Sequence, residues 1–243
     1  MSARFFDTHI HLTDFDNVKP DDLMKRLKTA GITKCVCVSA HRSDWEKVAK
    51  LAHDYPFEVV PAFGLHPWYV REATKGWEQE LEKYLDEFPE SVIGECGFDR
   101  LKRVDFETEK EVFEVQLELS NEKSRPLIIH SVKADEDMQK YDAFLPTKSI
   151  FHSFSSSKER LKQILKFRLY VSVNKRFFNK KDSLEILRST PLSHLLVETD
   201  APYQSDVEDL KEVIFKIAEA KQEDVQKIEK ELYLNAVDVL IND

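Results

Sequence analysis

Short apolar runs alternate along the chain with segments whose apolar residues recur at helical spacing. Eight of these runs are rich in apolar residues, several almost continuously so, as is typical of parallel strands buried on both faces, and they cover residues 5–12, 34–40, 58–65, 91–98, 126–131, 149–154, 169–174 and 195–199. Between the second and third runs, Trp45, Val48 and Ala52 follow the spacing of a helix that Pro56 ends. This alternation predicts a parallel sheet with right-handed crossovers.

Eight strand-and-helix units predict an α/β protein with a closed (β/α)8 barrel, or TIM barrel, in which residues 1–243 form a single domain. An open, doubly wound sheet is the alternative fold, but no Gly-rich phosphate loop follows the first strand. Pro20 and Asp21 are expected to begin an early helix, and Gly31 lies where the C-terminal cap of that helix is expected.

The composition predicts a cytoplasmic protein that does not enter a membrane. A hydrophobic fraction of 42% is sufficient for a large core, and no apolar stretch approaches the roughly 20 residues of a membrane-spanning helix. The N-terminal sequence lacks the long apolar region of a signal peptide. Cys35 and Cys37 alternate with valines, so we expect small core residues in a reducing compartment.

Candidate metal ligands stand where the predicted strands end. They are His9 and His11 in FFDTHIHL, Glu95 in SVIGECGFD, His130 in PLIIHS, His152 in SIFHSF and Asp200 in LLVETDAPY. Each residue alone has a simpler structural explanation, such as a buried, hydrogen-bonded histidine or a capping aspartate. Because the carboxyl ends of barrel strands meet at one face, however, all six are expected to converge there. The joint pattern therefore favours a metal-dependent hydrolase.

The ligand types narrow the choice of metal. His9 and His11 are two residues apart on a strand, so both side chains point the same way and can bind one ion. Glu95 has the charge and position to bridge two ions, and the flanking Gly94 and Gly97 predict close packing of this strand end. Asp7 either orients a ligating imidazole or is a polar residue lower in the barrel. Mixed imidazole and carboxylate ligands suit Zn²⁺, Mn²⁺, Fe²⁺ or Co²⁺, whereas a strict Mg²⁺ site would favour more carboxylate or water.

The net charge of -9 argues against a nonspecific coat for nucleic acid, but it does not exclude an enzyme that acts on phosphates. Acidic residues concentrate in the predicted helices at 78–87 and 107–122. Basic residues follow three strands on the expected ligand face, either to contact phosphate or as solvated loop charges. They are Arg100, Lys102 and Arg103 after the fourth strand, Lys133 after the fifth, and Lys175, Arg176, Lys180 and Lys181 after the seventh.

The ordered set of motifs resembles the TatD-type metal-dependent deoxyribonucleases of the amidohydrolase-like barrel superfamily. The matching segments are DTHIHL, GLHPW, IGECGFD, LIIHS, FHSF and ETDAPY, and NAVDVL resembles the closing helix of that family. The similarity extends from residue 6 to about residue 240, and the ordered set is specific although no single motif is. The resemblance implies a (β/α)8 barrel with a binuclear centre.

The resemblance also implies roles for individual residues. One of two divalent ions (Zn²⁺, Mn²⁺, Mg²⁺, Fe²⁺ or Co²⁺) would be held by His9, His11 and Asp200, the other by His130 and His152, with Glu95 between them. The implied activity is hydrolysis of DNA phosphodiesters, often with 3′-to-5′ exonuclease character, with DNA ends or short oligonucleotides as substrates. Asp200 would accept a proton from the attacking water. His66 in GLHPW would bind the phosphate or leaving group, or else is a structural turn histidine.

Other functions stay open because the substrate-facing segments FHSFSSS and VNKRFF depart from the family pattern. A hydrolase of a small ester, lactone or amide could use the same binuclear site. A barrel that has lost catalysis and serves as a binding protein is a third hypothesis, against which the intact ligand set argues. Trp68 either stacks on a base or packs in its loop. No protein partner can be inferred from the sequence.

Overall fold

The computed structural model describes residues 4–102 and 104–241, and within them strands and helices alternate around a barrel. The strands are β1 (Phe5–Ile10), β2 (Ile32–Val38), β3 (Val59–Phe63), β4 (Val92–Asp99), β5 (Leu127–Val132), β6 (Ile150–Phe151), β7 (Tyr170–Val173) and β8 (Leu195–Val197). The α-helices are α1 (Pro20–Thr29), α2 (Trp45–Asp54), α3 (Trp77–Glu87), α4 (Phe106–Glu122), α5 (Asp135–Met138), α6 (Lys158–Lys166), α7 (Ser183–Ser189), α8 (Leu210–Lys221) and α9 (Val225–Leu240).

The eight strands are parallel and follow one another around the sheet in chain order. The first and last strands meet at the carboxyl end. The Asp200 amide donates to the His9 carbonyl and the His11 amide donates to the Ala201 carbonyl, each over 2.9 Å. The predicted (β/α)8 barrel is therefore confirmed. Its closure draws together two ligand-bearing segments that lie about 190 residues apart in sequence.

Local sequence signals account for the helix boundaries. α1 begins at Pro20 with acidic residues in its first turn, and Gly31 after its C-terminal end has φ of 88°, a conformation that glycine adopts without strain. The Asp105 side chain accepts a hydrogen bond from the Thr108 amide and caps α4. The predicted helices are confirmed, including the two acidic ones, which correspond to α3 and α4.

Two apolar clusters hold the barrel together. The larger one packs the outer faces of the strands against the helices and includes Trp45, Phe98 and both Cys35 and Cys37. The smaller one joins strand residues such as Phe6 and Val38 to the last turns of α9, where Asn235 donates to the carbonyls of Leu192 and Leu195 at the amino end of β8. α9 thus covers the end of the barrel opposite the ligand-bearing strand ends, and the cysteines are core residues as predicted. No helix in the described ranges has both the length and the hydrophobicity needed to cross a bilayer.

The strands at the carboxyl end of the sequence are shorter than predicted. β6 consists only of Ile150–Phe151, because the chain turns immediately afterwards and Ser153 adopts φ of 46°. β8 ends at Val197, and Asp200 has φ of 54°, a left-handed conformation that aspartate tolerates better than most residues. These turns carry His152 and Asp200 out of the regular strands and into the barrel mouth.

Close approach of β4 and β5 fixes the position of His130. Gly97 pairs with His130 in the strand register, and a Cβ atom at Gly97 would lie 2.0 Å from the His130 carbonyl oxygen. Gly97 also has φ of 139°, in the region that other residues avoid. The predicted tight packing at this glycine is confirmed, and it brings His130 beside Glu95.

Replacing Gly97 with alanine should lower the stability of the fold. We expect a loss of about 3 kcal/mol or more, because the new methyl group clashes with β5 and the backbone is strained. Gly76→Ala is the matched control, since Gly76 also has positive φ, at 85°, but a Cβ atom there would meet no other side chain or backbone closer than 3.8 Å. That variant should lose only about 1 kcal/mol in chemical denaturation. Equal losses in the two variants would contradict the packing argument.

Candidate active site

The carboxyl ends of five strands bring all the sequence-predicted ligands into one buried group. His9 lies in β1 and His11 just after it, Glu95 in β4, His130 in β5, His152 after β6 and Asp200 after β8. Every one of these side chains is less than 9% exposed. The structure therefore brings together the six residues that the sequence predicts as ligands, although they belong to distant parts of the chain.

One oxygen of Glu95 faces a first set of donor atoms. Glu95 Oε2 lies 3.3 Å from His9 Nε2 and 3.7 Å from His11 Nε2. Asp200 Oδ1 lies 3.8 Å and 3.4 Å from the same two nitrogens, which are 3.3 Å from each other. These four side chains therefore surround one small volume.

The other oxygen of Glu95 faces a second set. Glu95 Oε1 lies 2.7 Å from His130 Nδ1 and 2.7 Å from His152 Nε2, and the two nitrogens are 3.3 Å apart. The His152 ring also stacks on the His9 ring, with 4.0 Å between centroids. Glu95 is thus shared between two adjacent groups of donors.

The second set fits a cation because its atoms present lone pairs to one another. His130 Nε2 lies 3.1 Å from an oxygen of Asp99, so it carries the proton and leaves Nδ1 as an acceptor facing Glu95. His152 Nε2 also faces Glu95, at 2.7 Å, while its Nδ1 lies 3.6 Å from Glu198, beyond hydrogen-bond distance. Acceptors that converge in a buried site repel each other unless a proton or a metal ion lies between them.

The pKa shifts also indicate that this site needs positive charge. Burial alone lowers the pKa of His152, yet the charge of Glu95 outweighs it and holds the pKa well above its usual value. Burial raises the pKa of Glu95, but the surrounding imidazoles, led by His152, hold it well below its usual range. The site is therefore built for a carboxylate that stays ionised and is neutralised by cations.

The spacing of the donors also fits divalent metal. Ligands about 2.1 Å from a tetrahedral ion lie roughly 3.4 Å apart. The first set spans 3.3–3.8 Å, and the second set, at 2.7–3.3 Å, is somewhat tighter. Imidazole and carboxylate donors in these numbers suit a divalent transition metal.

His66 enters the same group from the loop after β3. Its Nε2 lies 3.3 Å from Glu95 Oε1 and 3.2 Å from His130 Nδ1, so its position alone would allow it to bind metal. Its Nδ1, however, accepts a hydrogen bond from the Trp68 amide at 3.1 Å. Burial lowers the pKa of His66 to about 4, so the ring is neutral at pH 7 and its single proton is on Nε2. His66 therefore offers the site a hydrogen-bond donor.

Two carboxylates that sequence reasoning gave no role hold the ligand rings in place. Asp99 Oδ2 accepts from His130 Nε2 and also from Trp68 Nε1, over 2.7 Å. Glu198 faces His152 and accepts hydrogen bonds from Ser153 N, Asn174 Nδ2 and the Ser172 hydroxyl. Asp99 lies in the GFD motif and Glu198 in the ETD motif. Their position as carboxylates at the ends of strands is the sequence feature that could have identified them.

Asp7 does not orient a ligating imidazole. Its carboxylate accepts from the backbone amides of His9, at 3.2 Å, and Thr199, at 3.0 Å, and from the Thr199 hydroxyl. The alternative prediction, a polar residue lower in the barrel, is the correct one. Asp7 joins β1 to the segment after β8 because the barrel closes there.

The basic loop residues differ in their partners. Arg100 pairs with Asp137, and Lys175 pairs with Asp209 and Glu212. Lys180 donates to the carbonyls of Ser155 and Ser156. Lys102 lies over the Trp68 ring, 4.2 Å from a ring centroid, and Arg176 forms no ion pair with any described carboxylate. Arg103 lies outside the described residues.

A cavity of about 470 Å³ opens beside His130 and His152. The end of β5 and loops that follow five other strands line it, and its walls carry both aromatic and basic side chains. They include Trp68, Leu101, Val132, Phe154, Asn174, Arg176, Phe177, Lys180 and Gln204. The site can therefore be reached from one side of the barrel mouth.

The chain is similar to a group of nucleases and hydrolases over nearly its whole length. Residues 6–240 match the family model described as TatD related DNase. A 3'-5' ssDNA/RNA exonuclease TatD from Erwinia billingiae is 32% identical over 82% of this chain and 79% of its own. The deoxyribonuclease Tat-D of Schizosaccharomyces pombe is 29% identical over 83% and 73%. The crystal structure of the TatD homologue YJJV from Escherichia coli superposes with a TM-score of 0.90 at 24% identity, covering 99% of each chain.

The proton assignment of His66 makes a prediction about metal content. His66→Ala should bind as much metal as the wild-type protein, because its Nε2 is a donor and not a ligand. His130→Ala, which removes a lone pair facing Glu95, is the matched control and should bind less. Elemental analysis of proteins loaded with Mn²⁺ and freed of excess metal measures both. An equal loss of metal in the two variants would show that His66 is itself a ligand.

Proposed function

The chain belongs to the TatD related DNase family, and we propose that it hydrolyses phosphodiester bonds at DNA ends or in short oligonucleotides, using two divalent metal ions. The arrangement around Glu95 carries this proposal. Its two carboxylate oxygens face different sets of donors, His9 and His11 on one side and His130 and His152 on the other. A carboxylate so placed suits a bridging ligand between two ions.

We assign the metal ligands accordingly. His9, His11 and Asp200 would hold one ion, His130 and His152 would hold the other, and Glu95 would serve both. When bound, two such ions lower the pKa of a water molecule and neutralise the charge that builds up on a phosphate during in-line displacement. The metal is one of Zn²⁺, Mn²⁺, Mg²⁺, Fe²⁺ or Co²⁺. Mg²⁺ is the least favoured of these, because most of the donors are imidazoles.

The protein groups complete the reaction. Asp200 accepts a proton from the attacking water on a carboxylate oxygen, and its position beside His11 keeps that carboxylate at the reacting centre. As the new P–O bond forms and the ester P–O bond breaks, the Nε2–H of His66 donates a hydrogen bond to a phosphate oxygen, and the departing sugar oxygen takes a proton from water. Burial keeps His66 neutral, so it donates this hydrogen bond without adding a charge to the site.

Several further expectations belong to this proposal. We infer that residues 1–243 act as one domain and that the protein works in the cytoplasm. The relatives are named as deoxyribonucleases and an exonuclease, which favours phosphodiesters over the small ester, lactone or amide that the same donors could accept.

Cleavage of DNA with a defined variant tests the proposal. We expect purified protein with Mn²⁺ to shorten 5′-labelled single-stranded DNA progressively from its 3′ end, and EDTA to stop the reaction. Asp200→Asn should lower the rate by roughly 100-fold or more, since the proton acceptor is lost. Asp16→Asn, which removes an exposed charge from the loop after β1, should leave the rate unchanged.

The possible failures are distinct. Wild-type rates in Asp200→Asn would remove Asp200 from the mechanism but leave the substrate assignment intact. No cleavage of single- or double-stranded DNA by metal-loaded wild-type protein would contradict the nuclease proposal. Small ester and lactone substrates would then be tested on the same preparation.

A further inference from the structure

The shape of the cavity bears on how the substrate is held, an inference that rests on the proposed function. Its volume of about 470 Å³ lies within the range of about 300–1,000 Å³ typical of small-molecule sites, which suits one nucleotide better than a length of strand. It borders His130 and His152 but neither His9 nor His11. A nucleoside attached to the reacting phosphate would therefore extend from the metal ligands toward the loops after β4 to β7.

Trp68 forms one end of this cavity and is held rigidly. Its indole N–H donates to Asp99 Oδ2 over 2.7 Å, and the same oxygen accepts from His130 Nε2. Lys102 lies over the ring, and Trp68 as a whole remains 41% exposed, so the part of the ring that Lys102 leaves open is available to a ligand. Because Asp99 is only 2% exposed, this aromatic wall is fixed relative to a proposed metal ligand.

Arg176 lines the cavity from the other side of the barrel mouth. It follows β7, which is four strands away from β3 in a ring of eight, whereas Trp68 follows β3. Arg176 is an exposed cation that lines the cavity without an ion-pair partner among the described residues. The neighbouring cations are engaged, since Lys175 pairs with Asp209 and Lys180 donates to the carbonyl of Ser156.

A guanidinium that no described carboxylate neutralises, in a nucleotide-sized cavity, suits a phosphate ligand, because its planar N–H groups match phosphate oxygens in pairs. The reacting phosphate is already accounted for by the metal centre. We propose that Arg176 binds a second phosphate group, one nucleotide away from the phosphate that is cleaved, so that the cavity takes a nucleoside flanked by two phosphates. The second phosphate is either a terminal monoester or the next diester of the strand.

Binding of three small ligands tests this proposal. Mn²⁺-loaded protein is titrated calorimetrically with thymidine 5′-monophosphate, thymidine 3′,5′-bisphosphate and the dinucleotide pTpT, the last with a phosphorothioate internucleotide linkage that resists hydrolysis during the titration. We expect at least one of the two ligands with a second phosphate to bind about tenfold more tightly than the monophosphate. Arg176→Ala should remove that advantage and leave the affinity for the monophosphate unchanged. Lys181→Ala, which removes an exposed cation outside the cavity lining, is the matched control and should keep the advantage.

The outcomes separate the two possible sources of the phosphate. An advantage for the bisphosphate alone assigns the site to strand ends that carry a terminal phosphate. An advantage for pTpT alone assigns it to a strand that continues past the nucleoside, and an advantage for both ligands shows that the site accepts a second phosphate in either form. Equal affinity for all three ligands, or an advantage that persists in Arg176→Ala, would overturn the proposal. Because binding needs no turnover, failure to cleave DNA would contradict the proposed function and leave this test valid.

Discussion

The buried charge of Glu95 is the constraint on which the site depends. A carboxylate inside a barrel is strongly unfavourable unless positive charge and hydrogen bonds surround it. Here the imidazoles of His9, His11, His66, His130 and His152 all lie within 4 Å of its oxygens. Bound divalent cations would supply this positive charge and would at the same time take up the lone pairs that point inward.

Backbone contacts elsewhere in the barrel place the histidines around Glu95. Gly97 lets β5 approach β4 closely enough to place His130 against Glu95. The hydrogen bonds between the segments around His9 and Asp200 close the barrel and bring the first and last ligands together. α9 packs on the opposite end of the strands, which leaves the mouth free for the loops.

Much of this could be predicted from sequence because it depends on local patterns. Apolar runs indicated eight strands, and polar residues at their ends indicated His9, Glu95 and the other ligands. The tautomer of His66 and the pairing of Asp99 with Trp68 could not be foreseen, since they depend on how separate loops meet. Asp7 was ambiguous for the same reason, because its partner Thr199 reaches it only when the barrel closes. The partners of the basic residues could not be predicted either, because they depend on the geometry of the loops.

The most direct test of the account is the number and position of bound metal ions. Crystals soaked in Mn²⁺ and measured near the manganese absorption edge give anomalous peaks at bound metal. We expect two peaks, one on each side of the Glu95 carboxylate, the first between His9 and Asp200 and the second between His130 and His152. A single peak, or peaks that do not contact Glu95, would contradict the bridging role on which the account rests.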